Sequence, residues 1–400
     1  MKIVQVNSVC GVGSTGRIAT DIHSILKEKG HDSYIAYGRK EPLHCEETIK
    51  IGDNKDFVSH VIKSRLFDKH GFGSKKATKE FISRIDKINP DVIHLHNIHG
   101  YYLNIEILFE YLKKVDKPVI WTLHDCWAIT GHCAYFEYEN CKCWEEGGNH
   151  VCIQKSSYPA SYLINNSKKN YFSKKDIFSG VKNLTIVTPS KWLANIIKKS
   201  FLKDYPVKVV NNGIDLSLFY PSKSNDFRIN YGLEDTFIIL GVASVWDRRK
   251  GLAYFLKLAE SLSSDERIVL VGLSEKQQRS LPNNIICINR TNSTQELAEI
   301  YSSADVFLNP TLEDNFPTTN LESLACGTPV VTFNTGGSPE SLDNSCGIIV
   351  DKKESNELYI ALMKIKNTKY KKEDCVKRAL NYDKKIKFYE YIKLYNEVLI

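Results

Sequence analysis

The chain has 400 residues, too long for one comfortable hydrophobic core and about right for two domains. Hydrophobic residues at 42% and charged residues at 25% are ordinary globular values, and a net charge of +7 suits phosphate-bearing ligands or an anionic membrane surface but is not by itself a nucleic-acid signature; with no RNA- or DNA-binding motif, no nucleic-acid partner is expected. The eleven cysteines are odd in number and mostly scattered, against a disulfide framework, and the longest apolar run, around 237–246, is about half of what a membrane span needs.

Strands and helices alternate from the first residues. Residues 2–7 read as a buried strand, broken by polar residues too early for a secretory leader, so a soluble, cytoplasmic protein is expected, lying at most against the inner face of a membrane. Gly11-Val12-Gly13-Ser14-Thr15-Gly16-Arg17 follows and opens a helix over 17–29 that stops at Gly30. Glycines there let a backbone approach a ligand, and a helix N-terminus offers N–H groups to an anion; a plain tight turn explains them equally well. Residues 31–37 form a second strand, 76–88 a helix, and 91–96 a strand tipped by His94 and His96, with Asn97, His99 and Asn104 behind them. A helix over 105–114 leads to a strand over 118–123, which ends at His124 and Asp125. A histidine at a strand end can hydrogen-bond a sugar hydroxyl or carry a proton.

A segment rich in cysteine and aromatics follows, about 126–160, holding Cys126, Cys133, Cys141, Cys143 and Cys152 with His132 and His150. Cys133, Cys141, Cys143 and Cys152 offer a thiolate set for structural zinc, although paired Cys-x-x-Cys knuckles are absent; free thiols in a packed loop, or a redox-labile disulfide, are the alternatives. Strands at 183–187 and 208–210 continue the pattern to a boundary between 203 and 221. Asn211-Asn212-Gly213 reads as a tight turn, with Asp215 capping the next one.

A second cycle begins near Asp235, with strands at 237–243, 267–271, 285–288, 306–309, 330–333 and 347–350 and helices at 251–261, 294–301, 319–325 and 355–365. The βα alternation predicts parallel sheets with helices on both faces. In such sheets ligands bind beyond the carboxyl ends of the strands. Ser244-Val245-Trp246-Asp247-Arg248-Arg249-Lys250-Gly251 sits there, and its three cations suit a diphosphate, which Arg chelates through its fork. Asp314 and Glu322 stand eight residues apart around Asn315, Phe316, Pro317 and Thr318, astride a loop and what reads as the first turn of a helix. Such a pair can hold two hydroxyl-rich parts of one ligand, for example the sugar and the ribose of a nucleotide-sugar. A last amphipathic helix over 384–398 is expected to return to the first domain.

Arg249-Lys250-Gly251, the Asp314–Glu322 pair and Glu322-Ser-Leu-Ala-Cys-Gly-Thr-Pro-Val-Val331, together with Gly13-Ser-Thr-Gly16, His94-Leu-His96 and Thr122-Leu-His124-Asp125, resemble the retaining glycosyltransferase family four, of GT-B fold, over nearly the whole chain. The cysteine-bearing insertion resembles the subset that makes bacterial capsule, exopolysaccharide or colanic-acid-like polymers. The resemblance implies that Lys250 and a nearby Arg hold the donor diphosphate, that Asp314 holds the donor sugar and Glu322 the ribose, that His124 touches the sugar at the reacting region, and that Gly13 and Gly16 lie at the donor phosphate and acceptor. Three positions depart from it: Asp314 stands where Glu is usual, Ser244 where Arg is common, and Gly148 where related chains often carry Cys.

The expected architecture is α/β, two doubly wound Rossmann-like domains facing across a cleft. An acceptor-side domain spans 1–205, a donor domain 206–383, and a helix 384–400 packs back on the first. The expected activity is transfer of a sugar from a UDP- or GDP-sugar to a hydroxyl of a lipid-linked oligosaccharide, with retention of configuration and no catalytic cofactor. Lys63, Arg65, Lys69, Lys75, Lys76 and Lys79, among Leu66, Phe67 and Phe72, suit contact with anionic lipid; a solvated basic face suits them equally. A silent nucleotide-sugar-binding scaffold subunit is the alternative function.

Overall fold

The computed structural model describes residues 1–148, 151–368 and 370–400. The chain divides into unit 1, Met1–Asn211 with Lys387–Ile400, and unit 2, Asn212–Ile386. The division falls inside the boundary range read from the sequence, and the first residues of the last helix stay with unit 2.

Unit 1 is built on β1 (Lys2–Asn7), β2 (Asp32–Tyr37), β3 (Thr48–Lys50), β4 (Val92–Leu95), β5 (Val119–Thr122), β6 (Leu184–Thr188) and β7 (Val207–Val209). They form one parallel sheet in the order β3-β2-β1-β4-β5-β6-β7. Every residue of β4 and β5 is buried, as strands covered on both faces must be. The order reverses between β1 and β4, which opens a crevice beyond their carboxyl ends. The helix Gly13–Glu28 starts four residues earlier than the sequence suggests, so Gly13 and Gly16 lie within its first turn.

Two helices of unit 1 escape the apolar-period rule because their inward faces are polar. Asn54–Phe67 buries His60 and Ser64, and its start is fixed by a capping box between Asp53 and Asp56. Ser167–Phe178 turns Asn170 and Lys174 inward beside Tyr171 and Phe178. The helix Lys384–Leu399 carries Phe388, Tyr391, Ile392, Leu394 and Tyr395 into a cluster with Ile3, Ile22, Val92, Ile120 and Val187 of unit 1.

Unit 2 contains β8 (Phe237–Val242), β9 (Glu266–Val271), β10 (Ile285–Ile288), β11 (Val306–Asn309), β12 (Val330–Phe333) and β13 (Gly347–Val350). Their parallel order is β10-β9-β8-β11-β12-β13. Here the reversal falls between β8 and β11. The loops leaving those two strands are the ones that carry the cations near 250 and the carboxylate at 314.

Candidate active site

In unit 2, Asp247 caps a single 3-10 turn, Arg248–Lys250, by accepting the Lys250 N–H at 3.1 Å. Gly251 follows at φ +76°, and a Cβ there would overlap the Pro310 carbonyl oxygen. Glycine therefore lets the turn lie directly on the segment after β11. The Leu312 N–H donates to the Arg249 carbonyl at 2.8 Å, and Arg249 Nη1 donates to the Glu313 carbonyl at 2.9 Å. With both backbones so tied, Lys250 Nζ stands 2.6 Å from Asp314 Oδ2 and Arg249 Nη1 3.6 Å from the same oxygen. Burial opposes ionisation of Asp314, but the charges of Lys250 and Arg249, with hydrogen bonds from Lys250 and the Asn315 N–H, outweigh it and hold its pKa below the ordinary carboxylate value. Ser244 and Arg248 lie exposed in the same loop.

Thr318–Ala325 is the helix after this loop, with Pro317 at its N-cap. Glu322 lies in its second turn, not the first as the sequence reading has it. It is buried and accepts from the Tyr301 hydroxyl at 3.0 Å. Asn320 pins the helix from below: it accepts from Asn309 Nδ2 at 2.8 Å and donates to Ser341 Oγ at 3.0 Å and Ser338 Oγ at 3.2 Å. Asn315 and Phe316 are buried. The Phe316 ring turns toward Tyr382, at 5.6 Å between centroids, and its carbonyl accepts from Asn212 Nδ2 at 2.9 Å.

Sequence reasoning missed the loop after β12. Gly336 has φ +57°, a Cβ on it would overlap the Asp314 carbonyl oxygen, and the Gly337 N–H donates to that oxygen at 3.2 Å. The Gly336-Gly337 pair was the available signal. Asn309, the polar end of the apolar run Val306-Phe307-Leu308, was another.

In unit 1, His124 ends a relay. Gln5 Nε2 donates to the Ala19 carbonyl at 3.0 Å, and a carbonyl can only accept, so Gln5 Oε1 must accept from His96 Nε2, also at 3.0 Å. His96 Nδ1 is then a lone pair, and His124 Nε2, 3.1 Å away, supplies the proton between them. His124 is left with Nδ1 as an acceptor. Burial, countered in part by Asp125 and reinforced by His99, lowers its pKa to about 4, so the ring is neutral near pH 7. His94 has no such opening: it is fully buried between Thr122 Oγ1 at 2.8 Å and the Tyr395 hydroxyl at 2.7 Å.

The glycines after β1 divide by role. A Cβ on Gly11 would overlap the Leu43 carbonyl oxygen, and Gly16 is buried against Val9. Gly13, at φ +68°, has open space where its side chain would be.

Cys133, Cys141, Cys143 and Cys152 all line one cavity of about 20 Å³. His150 lies outside the described residues. A separate trio, His23, Cys45 and Glu47, brings three ligand atoms within 4.8 Å of one another, but Lys27 Nζ already stands 2.6 Å from Glu47 Oε1. The segment 63–79 is not one element. It is divided between Asn54–Phe67 and Lys75–Ile88; Phe72 is partly buried against the core, while Phe67 is exposed.

The pattern of Glycosyltransferase Family 4 matches residues 15–218, and that of Glycosyl transferases group 1 matches residues 236–367. The chain is 24% identical over 373 residues to WcaC of Escherichia coli (strain K12), named for glycosyl transfer in colanic acid biosynthesis, covering 90% of this chain and 89% of that one. It is 25% identical over 222 residues to the N,N'-diacetylbacillosaminyl-diphospho-undecaprenol alpha-1,3-N-acetylgalactosaminyltransferase of Campylobacter jejuni subsp. jejuni serotype O:2, covering 52% of this chain and 58% of that one. Among solved structures, sucrose-phosphate synthase from Thermosynechococcus elongatus superposes with a TM-score of 0.74 at 16% identity over 100% of this chain and 99% of its own. Anabaena HepE in complex with UDP does so at 0.70 and 14% over 99% and 100%. Both support the GT-B architecture of two parallel α/β domains.

Proposed function

The chain belongs to glycosyltransferase family 4, and from that premise we propose that it moves a sugar from a nucleotide-activated donor to a hydroxyl of a lipid-linked oligosaccharide, with retention of configuration, in making a bacterial surface polysaccharide. The observation that carries this reading is the meeting of Lys250, Arg249 and Asp314 where the sheet of unit 2 reverses. Two cations tied to a carboxylate form a receptor for a diphosphate on one side and sugar hydroxyls on the other.

In this reading Lys250 and Arg249, with Arg248 and Ser244 of the same loop, bind the diphosphate, and Glu322 accepts the ribose hydroxyls. Asp314 turns from Lys250 to the sugar as the phosphates arrive. His124 Nδ1 accepts a sugar hydroxyl. The acceptor oxygen attacks the anomeric carbon on the face the nucleotide leaves, and the departing diphosphate oxygen takes the acceptor proton. Charge grows on that oxygen in the transition state, so cations already in place lower the barrier more than they tighten ground-state binding. HepE was solved with UDP, which supports a UDP-sugar as the first donor to try. The Campylobacter enzyme is named for a diphospho-undecaprenol substrate, which supports a lipid-linked acceptor.

Among the described residues no helix is long and apolar enough to cross a membrane. We propose contact with anionic lipid through the exposed cations Lys63, Lys69, Lys75, Lys76 and Lys79 and the exposed ring of Phe67. Sedimentation with vesicles should rise with their anionic lipid content; equal binding to neutral vesicles removes this part.

The functional test is a panel of UDP- and GDP-sugars, followed by release of nucleoside diphosphate with a polyprenyl-diphosphate-linked acceptor and by NMR of the product anomer. Turnover with retention is expected. Tight donor binding without hydrolysis or transfer would favour a silent scaffold subunit, and an inverted product would remove the front-face mechanism.

A further inference from the structure

We propose that the cavity in the 126–160 insertion is a structural zinc site whose ligands are the thiolates of Cys133, Cys141, Cys143 and Cys152. Four independent features converge there. The four cysteines come from separate points of the segment yet line a single cavity of about 20 Å³, room for one ion or one water. Cys141 Sγ and Cys143 Sγ lie 3.0 Å apart, within reach of one metal. His132 lines the same cavity; the Asp68 carboxylate takes its Nδ1–H, and its Nε2 is buried with no hydrogen-bond partner. A buried ring nitrogen with no partner is costly and marks the cavity as one that holds a bound species. Finally, from Cys126 to Asn166 the described residues form one short 3-10 turn, Trp127–Ile129, and no helix or strand, yet Trp127, Phe136 and Trp144 are buried. A segment of that length without regular structure needs another source of order.

The chemistry selects the ion. Thiolates in a tetrahedral set favour Zn²⁺, and four protein ligands leave no open position, which makes the site structural. Binding converts four S–H bonds into four Zn–S bonds and releases four protons to solvent. Gly148 also lines the cavity, so Cys143 provides a fourth thiol although position 148 has none. The consequence reaches the candidate site through the same segment: the Tyr158 hydroxyl meets His99 Nδ1 at 3.1 Å, and His99 Nε2 meets Asp125, the neighbour of His124, at 3.0 Å.

The test is the metal content of the full chain purified without added metal. About one zinc per chain is expected. Cys143→Ser and Cys152→Ser should lower occupancy by ~10-fold or more, while Cys10→Ser, outside the cavity, keeps it. If those variants fail to fold, cobalt exchanged into the wild-type chain still reads the ligands, through the charge-transfer intensity of four thiolates. Metal-free wild type, or cavity cysteines found paired as disulfides by mass spectrometry, would overturn the proposal. A cobalt spectrum of three thiolates and one imidazole, lost in His132→Gln, would overturn the four-thiolate assignment.

Discussion

Asp314 and His124 show how surroundings decide the charge of a titratable group. Asp314 stays ionised because two cations outweigh its burial, and His124 stays neutral because burial dominates and its relay to His96 and Gln5 is complete with one proton on Nε2. The profile of kcat/KM should therefore show no break from His124 between pH 5.5 and 8; a break near 6.5 would mean that it titrates in the free enzyme. Stability follows the same groups. Burial lowers the pKa of His60 and His94 to about 3 and that of His124 to about 4, all below the unfolded value of about 6.5. Below pH 6.5 the unfolded chain takes up protons that the folded chain refuses, so these groups destabilise the fold progressively as pH falls toward 4 and have no effect above pH 7. Urea midpoints at pH 7.5 and 5 should differ in that direction; equal midpoints contradict it. For Glu322, the Gln variant keeps an oxygen for the Tyr301 hydroxyl but loses the charge. Nucleotide affinity should weaken by ~10-fold, the scale of a hydrogen bond to a charged group, when measured by calorimetry, with little change in Tm.

At the scale of elements, three loops hold the donor-side residues. Those after β8 and β11 were legible because cations and carboxylates stand out beside Gly251 and Pro317. The loop after β12 was not, because its contribution is backbone: Gly336 makes room for the Asp314 carbonyl and carries no chemistry of its own. Gly336→Ala forces a Cβ into that carbonyl at a positive φ, costing more than ~1 kcal/mol and displacing Asp314. Its kcat should fall by ~10-fold or more in protein that remains folded at the assay temperature. A drop in Tm with normal kcat would show that the loop supports the fold alone. The helices Asn54–Phe67 and Ser167–Phe178 were illegible for a related reason. Periodicity detects apolar stripes, and these helices bury His60, Ser64, Asn170 and Lys174, whose partners become visible only in three dimensions. Lys174 Nζ, for example, donates to the Trp127 and Thr130 carbonyls at 2.7 and 3.0 Å.

At the scale of the molecule, the two cycles of βα alternation were enough to read two parallel sheets, since continuous apolar runs such as Phe237–Val242 fit only strands covered on both faces. The strand order was not readable, and it is the order that puts the loops after β8 and β11 side by side. The last helix belongs to the core of unit 1: the Tyr395 and Tyr391 hydroxyls hydrogen-bond the buried His94–Thr122 pair, and Phe388 and Ile392 share a cluster with Ile3 and Ile120. Removing residues 387–400 should expose that apolar surface and leave His94 Nδ1 unpaired, giving aggregation or loss of near-UV circular dichroism; a well-folded truncated chain would contradict this packing. The central claim is that Lys250 and Arg249 carry the charge of the departing diphosphate. It is tested most directly by the rate of nucleoside diphosphate release at saturating donor and acceptor for the wild type and Lys250→Ala. The account predicts a fall in kcat of ~100-fold or more with the fold retained, in keeping with loss of one preorganised charge at a developing anion. An unchanged kcat in the folded variant would contradict it.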